Sequence, residues 1–184
     1  MINILEILMI ISTIMYSYLI LYCKRSSFIY GIISAGIMTY VLIASKVYIQ
    51  AVLNIVYIFT YIYSFVSWKK NEDKLKVSNI SGRQVILSVI YILFFSVFIG
   101  YAFSMINTSY PYLDAFSTAC SMIAVFLLSK KIIQSSHIFI MANIASIIIF
   151  CLTKEYSGII TFIIYMIFNI IRIFTWRRIK EKEI

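Results

Sequence analysis

Polar and aromatic side chains recur at helical spacing in a chain that is otherwise almost entirely apolar. Five of them follow one another at intervals of three or four residues in the first half of the chain: Asn54, Tyr57, Tyr61, Ser64 and Trp68. This spacing places them on one face of a helix. Amides donate and accept hydrogen bonds, and aromatic rings offer faces to a flat ring or a cation. Such a face has the chemistry to hold a small heteroaromatic molecule.

Two further segments carry similar faces in the second half of the chain. One holds Phe139, Asn143 and Ser146, and the other holds Tyr165, Asn169, Arg172 and Trp176. Polar groups within a bilayer face other helices or a water-lined cavity, where they either bind a ligand or bridge packed helices at roughly 0.6 kcal/mol per bond. The candidate ligand-binding residues are Asn54, Tyr57, Tyr61, Phe139, Asn143, Tyr165 and Asn169.

Two acidic residues occupy matching positions near the outer ends of their helices. Glu6 and Asp114 are candidates for a vestibule that attracts a cation, although solvated acids at helix starts are an equal alternative. The lone histidine, His137, has no clustered acids or cysteines near it, and the three cysteines share no metal-like spacing. We therefore expect neither a metal site nor a cofactor.

The elements that must position these residues are long apolar helices. With 62% hydrophobic and 12% charged residues, the chain has too little polar surface for a soluble domain. A hydrocarbon core of roughly 30 Å needs about 20 helical residues to cross it. We predict an all-α integral membrane protein with seven spans, at residues 2–23, 27–45, 47–68, 85–105, 112–128, 136–152 and 158–176.

The basic residues predict how these spans are oriented. With seven spans and an outside N-terminus, all of the 16 Lys and Arg residues except Lys46 and Lys154 fall on one side. By the positive-inside rule that side is cytoplasmic, which predicts a multi-pass protein of the plasma membrane with a cytoplasmic C-terminus. The net charge of +9 then reflects topology and the lipid bilayer, and nucleic acid is not an expected partner. Trp68 and Trp176 end their spans and are expected to be interfacial anchors.

The last three spans repeat the first three at a constant offset. Matching pairs include Leu5 with Leu113, Lys46 with Lys154, Tyr57 with Tyr165 and Trp68 with Trp176. Two triplets in the same orientation need one extra crossing between them, so the repeat is parallel. The predicted organisation is a first three-helix repeat at 1–68, a basic loop with linker helix 4 and a short outer loop at 69–111, and a second repeat with a basic tail at 112–184.

Several motifs along the chain resemble those of one transporter family. The residues from Tyr48 to Trp68, the run Pro111-Tyr112-Leu113-Asp114-Ala115 and the helix 6 positions Ser136, Phe139 and Asn143 carry the resemblance. The family is the PnuC-type nicotinamide riboside (vitamin) transporters, which share the 3+1+3 architecture of the SWEET carriers. Three positions depart from its pattern: Asn54 stands where Gln is usual, Ser136 where Trp is usual and Arg172 where Gly is usual.

This resemblance implies uptake of nicotinamide riboside by facilitated diffusion, with a separate cytoplasmic kinase that traps the substrate by phosphorylation. It also implies a homotrimer. An ion-coupled carrier would be expected to hold a carboxylate or histidine near the midplane, and the spans hold none there. Because Asn54 and Ser136 stand where substrate choice is made, thiamine, a deoxynucleoside or a riboflavin-like vitamin remains an alternative substrate.

Other classes of membrane protein fit the sequence less well. An intramembrane enzyme would need a nucleophile elbow, a metal-binding helix motif or paired midplane carboxylates, and the sequence has none of these. A substrate-capture subunit of a vitamin importer would show six helices and a docking motif of alanines on helix 1, which here lacks alanine. A membrane protein that transports nothing is the remaining alternative. We therefore expect a transporter, not an enzyme.

Overall fold

The chain folds into seven α-helices in a computed structural model that describes residues 4–44, 48–70, 75–105, 109–154 and 156–182, with side chains described at all of these except 6, 48–50, 53 and 156–158. The helices are α1 (Ile4–Leu21), α2 (Ser27–Ala44), α3 (Tyr48–Lys70), α4 (Gly82–Ser104), α5 (Pro111–Ser129), α6 (Ser135–Thr153) and α7 (Tyr156–Lys182). The predicted all-α class and the number of helices are confirmed. Helix α7 is longer than predicted because it continues through the basic tail.

The helices have the apolar surfaces of membrane-spanning segments. Among the described residues, five helices are long and apolar enough to cross a bilayer: Ser27–Ala44, Gly82–Ser104, Pro111–Ser129, Ser135–Thr153 and Ile159–Lys182. Helix α1 contributes a shorter apolar segment, Ile7–Leu21. Large side chains such as Phe94, Val97 and Phe98 on α4 are exposed, which suits contact with lipid better than with water. That α1 and α3 also cross the membrane stays a prediction.

The internal repeat is visible in how the helices end. Cys23 follows α1 in the left-handed conformation, with φ of 53°, and Lys131 does the same after α5. In both turns the next residue donates its amide to a carbonyl five residues back, from Lys24 to Leu19 at 3.2 Å and from Ile132 to Leu127 at 3.1 Å. This is the Schellman arrangement, which satisfies carbonyls at a helix end. Helices α1 and α5 therefore stop at equivalent positions by the same device.

The segment before α4 is hydrogen-bonded to the turn between α5 and α6. The amide of Ile133 donates to the carbonyl of Ser78 at 3.0 Å, and the amide of Ile80 donates to the Gln134 side chain at 2.9 Å. Helix α4 then begins with a capping box, in which Ser81 and Gln84 satisfy each other's backbone amides. These bonds fix where the connecting segment ends and the linker helix starts.

The chain divides into two compact units. The first comprises Met1–Lys76 with Ser129–Lys131, and the second comprises Val77–Leu128 with Ile132–Ile184. Phe28 and Trp68 are buried in the first unit, and Cys120 and Ala142 are buried in the second. The first unit holds α1 to α3, the helices of the predicted first repeat. The domain boundaries at 1–68, 69–111 and 112–184 stay a prediction.

Candidate functional site

The first unit contains a cluster of aromatic rings around Tyr61. This ring lies 5.4 Å from the ring of Tyr16 on α1 and 6.4 Å from that of Phe28 on α2, measured between centroids. The approach depends on Gly31, because a Cβ there would lie 3.2 Å from Tyr16 Cδ2 and 3.3 Å from Tyr61 Cδ2. The three helices therefore meet at a glycine, with aromatic faces on either side.

Trp68 completes this cluster at the end of α3 and is not an interfacial anchor. Only 3% of Trp68 is exposed, and its indole Nε1 donates to the carbonyl of Ser129 at 2.8 Å. Its ring meets Phe28 edge-on at 4.8 Å, and the Lys131 ammonium lies 5.0 Å from its centroid. Trp176 in the second unit is also fully buried. The expectation of anchoring is wrong for both, because each indole packs inside its own unit.

The second unit contains a buried arginine, Arg172, where the first unit has its aromatic cluster. Arg172 on α7 is 4% exposed, and its Nε donates to Ser136 Oγ on α6 at 2.7 Å. Its Nη2 donates to Asn169 Oδ1, also at 2.7 Å. The guanidinium carbon lies 5.2 Å from the centroid of Phe139 and 5.7 Å from that of Trp176. Arg172 thus joins α6 and α7 by hydrogen bonds and by contact with two rings.

Asn143 lies one helical turn beyond Phe139 on the same face of α6. The residue is 5% exposed, and among the described residues its side-chain Nδ2 is buried and has no hydrogen-bond partner. A buried amide without a partner costs roughly 1–3 kcal/mol. Ser146, on the next turn, differs because its hydroxyl bonds with that of Ser117 on α5 at 2.7 Å. Ser146 therefore serves helix packing, whereas the Asn143 amide is left for another partner.

Tyr165 and Asn169 lie on the face of α7 that leads to Arg172. Asn169 Nδ2 donates to the carbonyl of Tyr165, one turn earlier, at 2.8 Å, while its Oδ1 accepts from Arg172. The Tyr165 ring meets Phe162 edge-on at 5.8 Å. Both the nitrogen and the oxygen of the Asn169 amide are therefore hydrogen-bonded, and the oxygen helps to hold the Arg172 guanidinium in place.

Comparison with known proteins identifies the family. The model of the family described as "Nicotinamide mononucleotide transporter" matches residues 3–178. The chain belongs to this family. Its members are membrane transporters, so the chain is a multi-pass membrane transporter and not an enzyme. No curated protein matches the chain.

A solved structure has the same fold as this transporter. The crystal structure of the vitamin B3 transporter PnuC matches it with a TM-score of 0.77, over 97% of this chain and 82% of the other. The sequences are 19% identical, so the likeness concerns the fold alone. This transporter therefore shares its fold with a solved transporter structure.

The predicted site residues of the transporter are divided between its two units. Asn54, Tyr57 and Tyr61 are partly buried on α3 in the first unit, and the structure connects Tyr61 with Tyr16 and Phe28. In the second unit, Arg172 connects Phe139 with Asn169. The assignment of the seven residues to ligand binding stays a prediction.

The two vestibule candidates lie near helix starts. Asp114 is partly buried in the first turn of α5, where a carboxylate interacts favourably with the helix dipole. The side chain of Glu6 lies outside the described residues.

The sequence marks Ser136 as a departure from a motif, and Arg172 both as such a departure and as a member of the polar face of helix 7, but neither was among the predicted site residues of the transporter. The structure shows that these two departures contact each other. A charged residue within an apolar helix was the available signal for Arg172. No sequence signal distinguished Tyr16 or Phe28 from the many other aromatic residues of the chain.

Proposed function

We propose that the chain mediates uptake of a pyridine nucleoside of the vitamin B3 type, with nicotinamide riboside as the reference substrate. Membership of the transporter family supports a small organic substrate, and the chemistry of the candidate residues supports a flat, cationic ring with polar appendages. The proposed ligand-binding residues are Asn54, Tyr57, Tyr61, Phe139, Asn143, Tyr165 and Asn169. Glu6 and Asp114 are proposed to attract the substrate to the outer vestibule.

The observation that carries this proposal is the unpartnered amide of Asn143. Within the described part of the chain, its Nδ2 is buried and bonds to nothing, on the same helical face as the Phe139 ring. The equivalent residue in the first repeat is Ala35, so packing at this position does not require an amide. A ligand carbonyl or hydroxyl would supply the missing acceptor, and the carboxamide and ribose of nicotinamide riboside offer both.

Transport is proposed to be facilitated diffusion, inward across the plasma membrane. The spans hold no carboxylate or histidine near the midplane through which a proton or sodium gradient could act. A cytoplasmic kinase that phosphorylates the substrate would then give the direction, because the product is trapped inside. The distribution of Lys and Arg supports an outside N-terminus and a cytoplasmic C-terminus. By family resemblance, the functional unit is proposed to be a homotrimer.

Binding to the purified protein tests the proposal. We would titrate nicotinamide riboside, and separately thiamine, into the detergent-solubilised chain by calorimetry, and repeat both titrations with Asn143→Ala. Because the Nδ2 of Asn143 has no partner within the described part of the chain, Asn143→Ala breaks no hydrogen bond of that atom there, and the unfolding temperature of the variant is measured beside its affinity. Lost affinity in a variant of unchanged stability is then attributable to the ligand. Ser146→Ala is the matched control, since that hydroxyl bonds to Ser117.

The proposal predicts that nicotinamide riboside binds and that Asn143→Ala weakens its binding roughly tenfold, whereas Ser146→Ala leaves it unchanged. Binding of thiamine in place of nicotinamide riboside would refute nicotinamide riboside as the substrate and would leave the assignment to a vitamin transporter unchanged. Binding of nicotinamide riboside with equal affinity to Asn143→Ala would refute the assigned site.

A further inference from the structure

A cavity of about 360 Å³ lies in the second unit, beside the turn between α5 and α6. This volume is within the range of about 300–1,000 Å³ that small-molecule sites have in proteins. The lining combines two amides, one apolar side chain, two cations and one acid: Asn79, Gln134, Ile133, Arg177, Lys180 and Glu181. A lining in which three of six residues are charged suits a ligand that carries charges itself.

The cavity lies where four helices of this unit begin or end. Asn79 precedes α4, Ile133 and Gln134 lie between α5 and α6, and the charged residues lie in the last two turns of α7. All four helices are long and apolar enough to cross a bilayer, so their ends are expected at the depth of the lipid head groups. A charged ligand present at this depth is the head group of a phospholipid.

Hydrogen bonds fix one wall of the cavity. Gln134 Oε1 accepts from the Ile80 amide at 2.9 Å, and the Ile133 amide donates to the Ser78 carbonyl at 3.0 Å. Gln134 Nε2 lies 3.5 Å from Asn79 Oδ1, to which it donates. These bonds hold the segment before α4 against the α5–α6 turn. This wall therefore has its shape before any ligand binds.

The charged residues of the cavity come from one face of α7. Lys180 is three residues after Arg177, and Glu181 is four residues after it, which are the spacings of side chains on one helical face. In the part of the chain that the structure describes, none of the three forms a salt bridge or a side-chain hydrogen bond. Two cations and one acid on one face can bind a phosphate and an ammonium that lie side by side.

The positive-inside rule accounts for the two cations but not for the acid. A basic tail that only touches anionic lipid needs no cavity, and Glu181 would oppose that contact because a carboxylate repels a phosphate. A head group with an ammonium beside its phosphate would make the same carboxylate a favourable partner. The composition of the lining therefore favours a zwitterionic head group over an anionic one.

We propose that this cavity binds the head group of a phospholipid that carries a primary ammonium beside its phosphate, as phosphatidylethanolamine does. Arg177 and Lys180 donate hydrogen bonds to the phosphate. Glu181 accepts hydrogen bonds from the ammonium. The site contains none of the candidate substrate-binding residues, and it does not depend on the proposed function.

Competition between lipids on the wild-type chain is the first test. We would mix the purified full chain in detergent with equal amounts of phosphatidylethanolamine, phosphatidylglycerol and phosphatidylcholine of the same acyl chains, and measure bound lipid by native mass spectrometry. Because Glu181 is exposed, we expect phosphatidylethanolamine to exceed each of the others by roughly two- to fivefold, the range for an ion pair that water reaches. Attraction to net charge alone would favour phosphatidylglycerol, and the ammonium of phosphatidylcholine has no N–H to donate.

A pair of double variants separates the cavity from the general charge of the tail. Arg177→Gln with Lys180→Gln removes both cations of the lining and should weaken binding of phosphatidylethanolamine roughly tenfold. Arg178→Gln with Lys182→Gln is the matched control, because it removes the same charge from exposed residues that do not line the cavity. This control should leave the binding unchanged. Unfolding temperatures measured without lipid show whether both variants fold.

A third double variant tests the role of the acid. Glu181→Gln with Arg178→Gln leaves the net charge of the chain as it is, and it should abolish the preference for phosphatidylethanolamine over phosphatidylglycerol. Calorimetric titration of free phosphoethanolamine into the wild-type chain forms a separate arm, because it offers the same phosphate and ammonium without acyl chains. Binding of the free compound as tightly as of the lipid would overturn a lipid as the occupant.

The remaining outcomes also decide the proposal. It is overturned if the wild-type chain binds phosphatidylglycerol or phosphatidylcholine as well as phosphatidylethanolamine, or if it binds none of the three. Equal loss of binding in the cavity variant and its control would show attraction by net charge alone. A preference for phosphatidylethanolamine that persists without Glu181 would refute the role of the acid. None of these results bears on whether a pyridine nucleoside is transported.

Discussion

The buried position of Trp68 predicts that its replacement by phenylalanine destabilises the protein strongly. Trp68→Phe removes the indole N–H, which leaves the buried Ser129 carbonyl without its 2.8 Å partner, at a cost of about 1–3 kcal/mol. The smaller ring also leaves a void beside Phe28 and weakens the contact with Lys131, each worth about 0.5–1 kcal/mol. We expect the free energy of unfolding to fall by about 3 kcal/mol in total. For a chain of this size, that corresponds to a fall of about 6–12 °C in the unfolding temperature.

Thermal unfolding in detergent measures this fall directly. Tyr40→Phe is the control, because Tyr40 is 63% exposed on α2 and should change stability by less than about 0.5 kcal/mol. If Trp68 lay at the lipid interface, its ring would move from one apolar contact to another and the two variants would behave alike. Equal shifts in unfolding temperature would therefore refute the packing described for Trp68.

Two further predictions follow from close contacts elsewhere. A Cβ at Gly100 would lie 2.5 Å from Tyr112 Cδ1, so Gly100→Ala should destabilise by about 1–3 kcal/mol. Gly36→Ala is the control, because nothing lies within 4 Å of the added Cβ, and it should be neutral or stabilise the protein by up to about 1 kcal/mol. If the two variants lowered the unfolding temperature equally, the close contact between Gly100 and Tyr112 would be contradicted. Gln134→Leu removes the acceptor of the Ile80 amide, so hydrogen exchange in the segment before α4 should quicken roughly tenfold while α2 is unaffected. Unchanged exchange would show that this bond does not hold the segment.

The helices were predictable because their residues are governed by local patterns. Apolar runs of about 20 residues can satisfy their backbone groups in a bilayer only as helices, so the number and approximate bounds of the helices follow from composition. The start of α4 also had a local signal, in Ser81 followed three residues later by Gln84. By contrast, α7 continues beyond its apolar stretch to Lys182, because Arg, Lys and Glu have high intrinsic helix propensity.

The interior of each unit was less predictable because partners distant in sequence decide it. A tryptophan at the end of a span is compatible with both the lipid interface and the protein interior. The carbonyl of Ser129, which accepts a hydrogen bond from the Trp68 indole, lies far along the chain from it. The contact of Arg172 with Ser136 likewise depends on how α6 packs against α7. Residue type predicted that Asn143 would face the interior, but only the structure shows that its Nδ2 is buried without a partner among the residues it describes.

At some equivalent positions the two repeats hold the same residue, and at others they hold residues of different chemistry. The tryptophans near the ends of α3 and α7, Trp68 and Trp176, are the same residue in both halves and are buried in both. Polar residues of the second unit have small or aromatic counterparts in the first: Asn143 corresponds to Ala35, Asn169 to Tyr61 and Arg172 to Ser64. In the first repeat, the small side chains of Ala35 and Ser64 are buried at two of these places. The divergence between the repeats therefore supports the proposal that the second recognises a polar ligand group.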